Sequence, residues 1–210
     1  MRAVVDETVN AFGKIDILIN NAGIGVLGVF EATNDDLIRK QFETNVFGVM
    51  NTIKEILPHF RNNRSGMIIN ISSGVGIIPI PAQSVYDATK FAIEGFSESL
   101  FYELETLGIK VKIVLPGATK SDFFQSVVVA DVASYPDYQN YQKKVIDTVV
   151  KSNYSGADTT SVAAVIYKAA LNGRNKLRYI GGKDVSLFSK VKWILPANIF
   201  MKIVKRNFNK

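Results

Sequence analysis

Short apolar runs alternate with longer amphipathic stretches along most of this chain. Four apolar runs predict strands that are buried on both faces, at residues 15–19, 67–71, 110–115 and 177–180. Apolar residues at helical spacing predict helices over residues 1–13, 34–60, 84–107 and 158–172. Strands that alternate with helices are typical of an α/β fold with a mainly parallel sheet and right-handed crossovers.

Two segments fall outside this alternation. Residues 122–155 are polar and aromatic, and we expect helical pieces within them. Residues 183–210 form a basic, amphipathic tail that Pro196 interrupts. We therefore divide the chain into a main domain, residues 1–182, and a C-terminal tail, residues 183–210.

The composition narrows the classes of protein and of site. With 210 residues, 47% of them hydrophobic and 21% charged, the chain is typical of a single globular domain. It has no cysteine and one histidine, His59, which excludes zinc–thiolate sites and argues against a histidine-based triad. We predict no metal site. The sequence contains no run of about 18 apolar residues, so it predicts no membrane span. We expect a cytoplasmic protein.

The net charge of +6 arises in the tail. Residues 183–210 hold seven basic residues and one acidic residue, whereas the remaining residues hold 18 of each sign. Nucleic-acid binding needs a positive surface on the folded domain, and a charge confined to one tail does not provide it. We therefore expect no nucleic-acid partner.

Tyr86 and Lys90 form the most informative pair in the sequence. They lie four residues apart in a predicted helix, so the phenol and the ammonium share one face, with Cβ atoms about 5–6 Å apart. A neighbouring cation favours phenolate, and we expect it to lower the pKa of Tyr86. A phenol tuned in this way can exchange a proton with a substrate oxygen. Ser73 lies thirteen residues before Tyr86, where the second predicted strand ends.

Five motifs follow one another in a fixed order: N-N-A-G at 20–23, N-V-F-G at 45–48, I-I-N-I-S-S at 68–73, Y-x-x-x-K at 86–90 and P-G at 116–117. In order and spacing, over residues 10–182, the chain is similar to the short-chain dehydrogenase/reductase family. The resemblance implies a Rossmann-like, doubly wound parallel sheet with ligands bound at the carboxyl ends of the strands. It also implies an oxidoreductase that interconverts an alcohol and a ketone or aldehyde by hydride transfer with NAD or NADP.

The resemblance assigns four catalytic residues. Tyr86 is the general acid/base, and Lys90 lowers its pKa and hydrogen-bonds the ribose beside the nicotinamide. Ser73 donates a hydrogen bond to the substrate oxygen and orients it. Asn45 holds a water molecule that links Lys90 to bulk solvent.

The resemblance also assigns residues to the cofactor. In addition to Tyr86 and Lys90, these are Asn21, Ala22, Gly23, Pro116, Gly117, Thr119 and Ser121. The first three line the adenosine half, and the P-G pair passes under the nicotinamide. The backbone of Thr119 meets the carboxamide, and Ser121 stands where the family usually has threonine.

Each of these assignments has a plainer structural interpretation. Tyr86 can be a surface tyrosine beside a solvated lysine, Ser73 a cap at a strand end, and Asn45 an exposed polar residue within a helix. Residues 20–23 can be only a turn, because Asn and Gly tolerate left-handed backbone conformations. Residues 116–117 can be only a strand terminator.

One feature of the family has no counterpart in this sequence. Family members begin with a strand and a glycine-rich turn, T-G-x-x-x-G-x-G, which this chain does not contain, nor does it contain the residue that separates NAD from NADP. We therefore expect a sheet without its first three strands and an uncovered edge at residues 15–19. We interpret the chain as incomplete.

Two other functions stay open at this point. The chain can be a catalytically silent fragment or pseudo-enzyme that acts as an oligomerising or membrane-surface binding module. It can also be an epimerase or dehydratase of the extended branch, although the N-N-A-G motif and the position of Ser73 fit the short dehydrogenases better.

The remaining expectations concern substrate and partners. Six aromatic residues predict a pocket for a mid-sized apolar alcohol or ketone, or else pack only within the segment that covers the substrate: Phe123, Phe124, Tyr135, Tyr138, Tyr141 and Tyr154. The resemblance implies a homodimer or homotetramer that pairs through residues 34–60 and 84–107. The tail mixes apolar and basic residues and predicts peripheral contact with an anionic membrane. Alternatively, it covers the substrate entrance or a partner subunit.

Overall fold

A computed structural model describes residues 2–208. Its centre is a four-stranded parallel sheet in the order β1-β3-β4-β8. These strands are Ile17–Asn20 (β1), Gly66–Ile71 (β3), Ile109–Pro116 (β4) and Arg178–Gly181 (β8). Two short ladders lie outside the sheet and pair Val26–Leu27 (β2) with Val128–Val129 (β6) and Thr119–Lys120 (β5) with Ala157–Asp158 (β7).

Eight α-helices surround these strands among the described residues. They are Arg2–Phe12 (α1), Asp35–Phe42 (α2), Gly48–Asn63 (α3), Ser84–Glu105 (α4), Pro136–Tyr154 (α5), Thr159–Leu171 (α6), Lys183–Ile194 (α7) and Ala197–Phe208 (α8). A π-helical turn, Glu43–Phe47, joins α2 to α3. The predicted α/β fold with a doubly wound parallel sheet is confirmed.

The alternation of side chains along β3 explains why helices cover both faces of the sheet. Ile68 points into a core formed with α3 and α4, and its neighbour Ile69 points into a second core formed with α6. Successive side chains of a strand face opposite sides, so an unbroken apolar run requires cover on both.

The four sheet strands and the long helices lie where the sequence predicts them, within a few residues at each end. The predicted helix over residues 34–60 is α2, the π-helical turn and α3 in continuity. The segment 122–155 contains one long helix, α5. The sequence did not predict the two short ladders, β2 with β6 and β5 with β7. Among residues 2–208, β1 pairs only with β3 and forms the expected edge of the sheet.

A chain of buried polar side chains ties β1 and β3 to the helices above them. The Asn20 amide donates to Asn70 Oδ1 at 2.9 Å, and the Asn70 amide donates to Ser97 Oγ on α4 at 2.8 Å. On the other side, the Thr52 hydroxyl of α3 donates to Asn20 Oδ1 at 2.6 Å. Because Asn20 and Asn70 are register partners, this chain fixes the relative height of the two strand ends.

The C-terminal tail folds back as a helical hairpin. Pro196 separates α7 from α8, as expected. Val185 of α7 packs against the sheet residues Ile113 and Leu115, and Phe208 of α8 packs against a cluster that includes Val149 of α5. The tail is therefore in contact with the main domain.

The turn between α3 and β3 depends on a close approach to an aromatic ring. Arg64 ends α3 in the left-handed conformation, with φ of 46°, and the chain then enters β3 at Gly66. Phe60 is fully buried, and a Cβ atom added to Gly66 would lie 2.3 Å from its ring. Only glycine leaves room for Phe60 at this point.

We predict that Gly66→Ala lowers the free energy of unfolding by about 1–3 kcal/mol, because the core must shift to accept the methyl group. The matched control is Gly95→Ala in α4, where an added Cβ meets nothing within 4 Å. That change should raise the stability by roughly 0.5–1 kcal/mol, since alanine is the better helix former. Urea unfolding of both variants measures the difference, and equal shifts of the same sign would contradict the packing explanation.

Candidate active site

A cavity of about 880 Å³ opens at the carboxyl ends of the sheet strands. Its walls come from the loops after β1, β3 and β4, from α4 and from the C-terminal hairpin. Ten residues predicted for the site lie in its lining: Asn21, Ala22, Gly23, Ser73, Tyr86, Lys90, Pro116, Gly117, Thr119 and Ser121. Asn45 lies behind this wall.

Tyr86 and Lys90 occupy successive turns of α4 on the side that faces the cavity. Lys90 Nζ lies 5.6 Å from the centre of the Tyr86 ring and donates a hydrogen bond of 3.0 Å to the carbonyl oxygen of Ile71. The ammonium has three donors, so two remain for a ligand. Helical spacing thus brings the two side chains together as the sequence predicted.

The pKa of Tyr86 moves in the direction opposite to the one expected. Burial in the cavity wall raises it, because desolvation disfavours the phenolate. A hydrogen bond with Ser73 lowers the pKa of Tyr86 but does not outweigh burial, and the charge of Asp87 raises the pKa further. The prediction from the sequence was wrong on this point because it counted the cation and not the loss of water.

The Lys90 ammonium is itself destabilised. Burial lowers the pKa of Lys90 to about 8, and the negative charge of Glu94, one turn further along α4, opposes this shift. Arg178 of β8 donates to Glu94 Oε2 at 2.9 Å and so holds the carboxylate in place. Below about pH 8, Lys90 is therefore a buried cation with capacity for an anionic partner.

Ser73 combines a structural contact with a position at the cavity. It precedes a short 3₁₀ turn, Gly74–Gly76, and its Oγ accepts a hydrogen bond of 3.3 Å from the backbone N–H of Val75. The Ser73 side chain also hydrogen-bonds Tyr86, which lowers the pKa of the phenol. The capping interpretation and the site interpretation therefore both describe this residue.

Asn45 is buried within the π-helical turn and not exposed on a helix. Its side-chain amide binds the backbone of Ile24 twice, accepting from the N–H and donating to the carbonyl oxygen, both at 2.9 Å. The same amide nitrogen donates to Thr89 Oγ1 at 3.2 Å. Asn45 thereby ties the loop after β1 to α4, one residue from Lys90.

Gly23 lies where this loop approaches the site most closely. A Cβ atom added there would be 3.2 Å from Asn45 Oδ1 and 3.9 Å from Lys90 Nζ. The absence of a side chain lets the backbone pass close to both polar groups. Asn21 and Ala22 precede it at the exposed mouth of the cavity.

The loop after β4 is held by two side chains that the sequence did not predict. The backbone N–H of Ala118 donates to Asp184 Oδ2 at 3.0 Å, and that of Thr119 donates to Asn153 Oδ1 at 3.4 Å. The carboxylate of Asp184 also fills the space beside Gly117, where an added Cβ would lie 2.2 Å away. A ligand that used the N–H of Thr119 would have to replace the contact with Asn153.

Ser121 lies further along this loop and is exposed at the rim of the cavity, where it precedes a short helical turn. Its side chain makes no capping hydrogen bond.

The aromatic prediction holds for two of six residues. Phe123 and Phe124 line the cavity, and the Phe123 ring lies 5.9 Å from that of Tyr86. The four predicted tyrosines are not among the lining residues: Tyr135, Tyr138, Tyr141 and Tyr154. Aliphatic side chains take their place, from the loop before α4, from the segment before β6, from α5 and from α8: Ile78, Ile80, Val127, Val149 and Val204.

Among the site residues that the sequence analysis did not predict, those of the C-terminal tail belong to a recognisable sequence pattern, and Asn153 and Asp184 do not. The amphipathic pattern of the tail is compatible with the cover that Val204 and Phe208 of α8 provide. Asn153 and Asp184 are single polar residues near a helix end, a pattern with many ordinary explanations.

The chain is similar in sequence to known oxidoreductases. The family model described as "short chain dehydrogenase" matches residues 1–132. An uncharacterized oxidoreductase of Schizosaccharomyces pombe is 38% identical over 190 residues, which cover 90% of this chain and 78% of the relative. A 3-ketodihydrosphingosine reductase of Bacteroides thetaiotaomicron is 35% identical over 201 residues, which cover 95% and 75%.

Solved structures agree with these sequence matches. The crystal structure of a short-chain dehydrogenase from Streptomyces avermitilis has a TM-score of 0.79 and 30% identity, and the match covers 97% of this chain and 75% of that one. The structure of ElxO with NADP bound has a TM-score of 0.68 and 26% identity, with 86% and 71% covered. The chain belongs to the short-chain dehydrogenase/reductase family of oxidoreductases.

Proposed function

We propose that this protein interconverts an alcohol and a ketone or aldehyde with NAD or NADP, and that Tyr86 is its general acid/base. The observation that carries the proposal is the convergence of Ser73, Tyr86 and Lys90 on one apolar cavity at the carboxyl edge of the sheet. A proton donor beside a buried cation, within reach of a bound ligand, is the arrangement that carbonyl chemistry requires.

Two features of the cavity wall support the binding of a nicotinamide nucleotide. Gly23 brings bare backbone to the cavity, and Lys90 retains two donors that fit the hydroxyl groups of a ribose. Asn21 and Ala22 extend this wall towards the mouth. The structurally similar protein ElxO has NADP bound, which favours the same class of cofactor here.

The nicotinamide, when bound, supplies or accepts the hydride. The residues of this chain handle the proton and the charge on the substrate oxygen. In reduction, negative charge develops on that oxygen, and the hydroxyl groups of Ser73 and Tyr86 stabilise it by hydrogen bonding. Tyr86 then transfers its proton to the oxygen. The raised pKa of Tyr86 keeps the phenol protonated at neutral pH, which is the state that reduction needs.

Asn45 has a positioning role in this proposal. Both hydrogens of its amide nitrogen are engaged, by Ile24 and by Thr89. The water that we predict beside Asn45 is therefore held by carbonyl oxygens and not by the amide N–H groups. The π-helical turn departs here from the usual helical pairing, because the N–H of Gly48 donates to the carbonyl oxygen of Glu43, five residues earlier.

The substrate that fits the cavity is apolar. Phe123, Phe124 and the aliphatic residues around them line most of its wall beyond Tyr86, and few polar groups are available there to bind a charged substrate. One relative is named 3-ketodihydrosphingosine reductase, which favours a keto substrate here as well. We infer that a ketone with an extended apolar chain is the substrate class.

Pairing of copies through α3 and α4 stays a prediction. The structure offers exposed aromatic side chains on these long helices or next to them, Phe47, Phe91 and Tyr102, which a second copy would cover.

We expect Tyr86→Phe to lower kcat/KM for ketone reduction by about 100- to 10,000-fold, because the general acid is lost. Binding of NADH and NADPH, followed by nucleotide fluorescence, should persist. The matched control is Tyr102→Phe, which removes the hydroxyl of an exposed tyrosine on the same helix and should leave activity unchanged. Full activity in Tyr86→Phe would reject the assignment. A wild-type chain that binds neither nucleotide would favour the silent binding module instead.

We expect the affinity for NADH to fall as pH rises through about 8. Lys90 loses its proton in this range, and the anionic nucleotide favours the ammonium form. Lys90→Met should bind more weakly and lack this step, whereas His59→Gln, outside the cavity, should retain it. Binding measured by fluorescence across pH tests the point, and identical profiles for the wild type and Lys90→Met would contradict it.

We expect kcat/KM for methyl ketones to rise with alkyl chain length by about fourfold per methylene, as each group leaves water for the cavity. Phe124→Ala should weaken this dependence. Tyr154→Ala, at an exposed aromatic residue of similar size, is the control and should preserve it. A flat response to chain length, or a preference for short keto acids, would exclude an apolar substrate.

A further inference from the structure

The C-terminal hairpin exposes apolar side chains around the turn between its two helices. Trp193 and Ile194 are 89% and 79% exposed, and Ile199 and Met201 follow within the next seven positions. Trp193 is the single tryptophan of the sequence and has the largest exposed fraction among the large apolar residues that the structure describes. We call residues 193–201 the hairpin tip. Exposed apolar residues concentrated in this way mark a contact surface.

Positive charge flanks the tip. Lys190 precedes it, and Lys202, Lys205 and Arg206 follow it, all outside the core, with no acidic residue between positions 185 and 208. Lys192 is engaged elsewhere, because its ammonium binds the carbonyl oxygen of Ile77 and stacks on Phe91. Lys210, which the sequence assigns to the same basic group, lies outside the described residues.

Charge decides which partner fits this surface. A second copy seated on the same tip would bring like charges together, which is unfavourable. An anionic lipid surface fits both the positive charge and the exposed apolar side chains of the hairpin. Lysine and arginine pair with its headgroups, and tryptophan and aliphatic side chains enter the interface. Among residues 2–208, none of the helices has the length and apolar character that a membrane span needs.

The opposite face of the same hairpin closes the cavity. Phe188 of α7 and Val204 and Phe208 of α8 line it, and Phe208 packs against Val149 of α5. A lipid surface that meets the tip therefore lies next to the roof of the substrate cavity. Three of the side chains that line this roof, Phe188, Val204 and Phe208, are apolar and suit the passage of an apolar chain, and Asn207 is the polar lining residue of α8.

We propose that the hairpin tip docks on an anionic lipid surface, and that an apolar ketone reaches the cavity from that surface past α8. The docking is independent of catalysis, whereas this access route rests on the proposed function.

The single tryptophan provides the measurement of docking. We expect the Trp193 emission to shift to shorter wavelength when vesicles of equimolar phosphatidylglycerol and phosphatidylcholine are added. Pure phosphatidylcholine should give a much smaller shift, and about 1 M salt, where the Debye length is about 3 Å, should reverse most of it. No shift with anionic vesicles overturns the docking. A shift that follows protein concentration without lipid also overturns it, because a second copy then covers the tip.

Matched variants locate the contact. Ile194→Glu should weaken vesicle affinity on the order of tenfold, since an apolar anchor becomes an anion. Phe12→Glu, which makes the same kind of change at a residue that is 80% exposed on α1, should leave affinity unchanged. Equal loss in both variants overturns the assignment of the contact to the hairpin.

Measurements of ketone reduction distinguish docking on the lipid surface from access of the ketone past α8. Ile194→Glu should lower kcat/KM for a long-chain ketone carried in anionic vesicles and leave that for a short water-soluble ketone unchanged. Equal effects on both ketones overturn the access route. Vesicle binding without any ketone reduction would overturn the proposed function and leave the docking intact.

Discussion

The buried chain of hydrogen bonds from Thr52 through Asn20 and Asn70 to Ser97 is the interaction on which the site depends. It lies where β1 and β3 end, and the loops that leave these strands carry Gly23 and the serines at 72–73. Slipping one strand by a residue would leave buried amides without partners, at a cost of about 1–3 kcal/mol for each group. The register of two strands thus sets the height of two loops in the cavity wall.

The same chain positions α4, because Ser97 belongs to the helix that carries Tyr86 and Lys90 two to three turns earlier. Asn45 fixes the other side by tying Ile24 to Thr89. Rigid placement has an electrostatic consequence. Burial shifts both pKa values towards the neutral forms, phenol for Tyr86 and amine for Lys90. A negatively charged ligand beside Lys90 would stabilise its cationic form, so the site is suited to an anionic cofactor.

The sequence predicted the sheet and helices well, because strands buried on both faces give unbroken apolar runs and the helices between them are long. Helical spacing also predicted that Tyr86 and Lys90 meet. What the sequence could not predict is long-range. Asn153 and Asp184 reach Thr119 and Ala118 from 34 and 66 residues away, and neither has a local pattern. The direction of the pKa shift of Tyr86 likewise depends on how much water the fold excludes.

The C-terminal tail carries apolar residues both on the side that covers the cavity and on the exposed side. The sequence left open whether it covers the cavity or contacts a membrane, and each alternative needs apolar residues on one side only. In the structure, Phe200 is buried and Phe208 packs over the cavity, yet Ile199 and Met201 remain exposed beside them. A helix that only covered a cavity would be expected to present polar residues on its outer face. The exposed apolar residues fit the second contact that we propose, and the lysines around them favour an anionic partner.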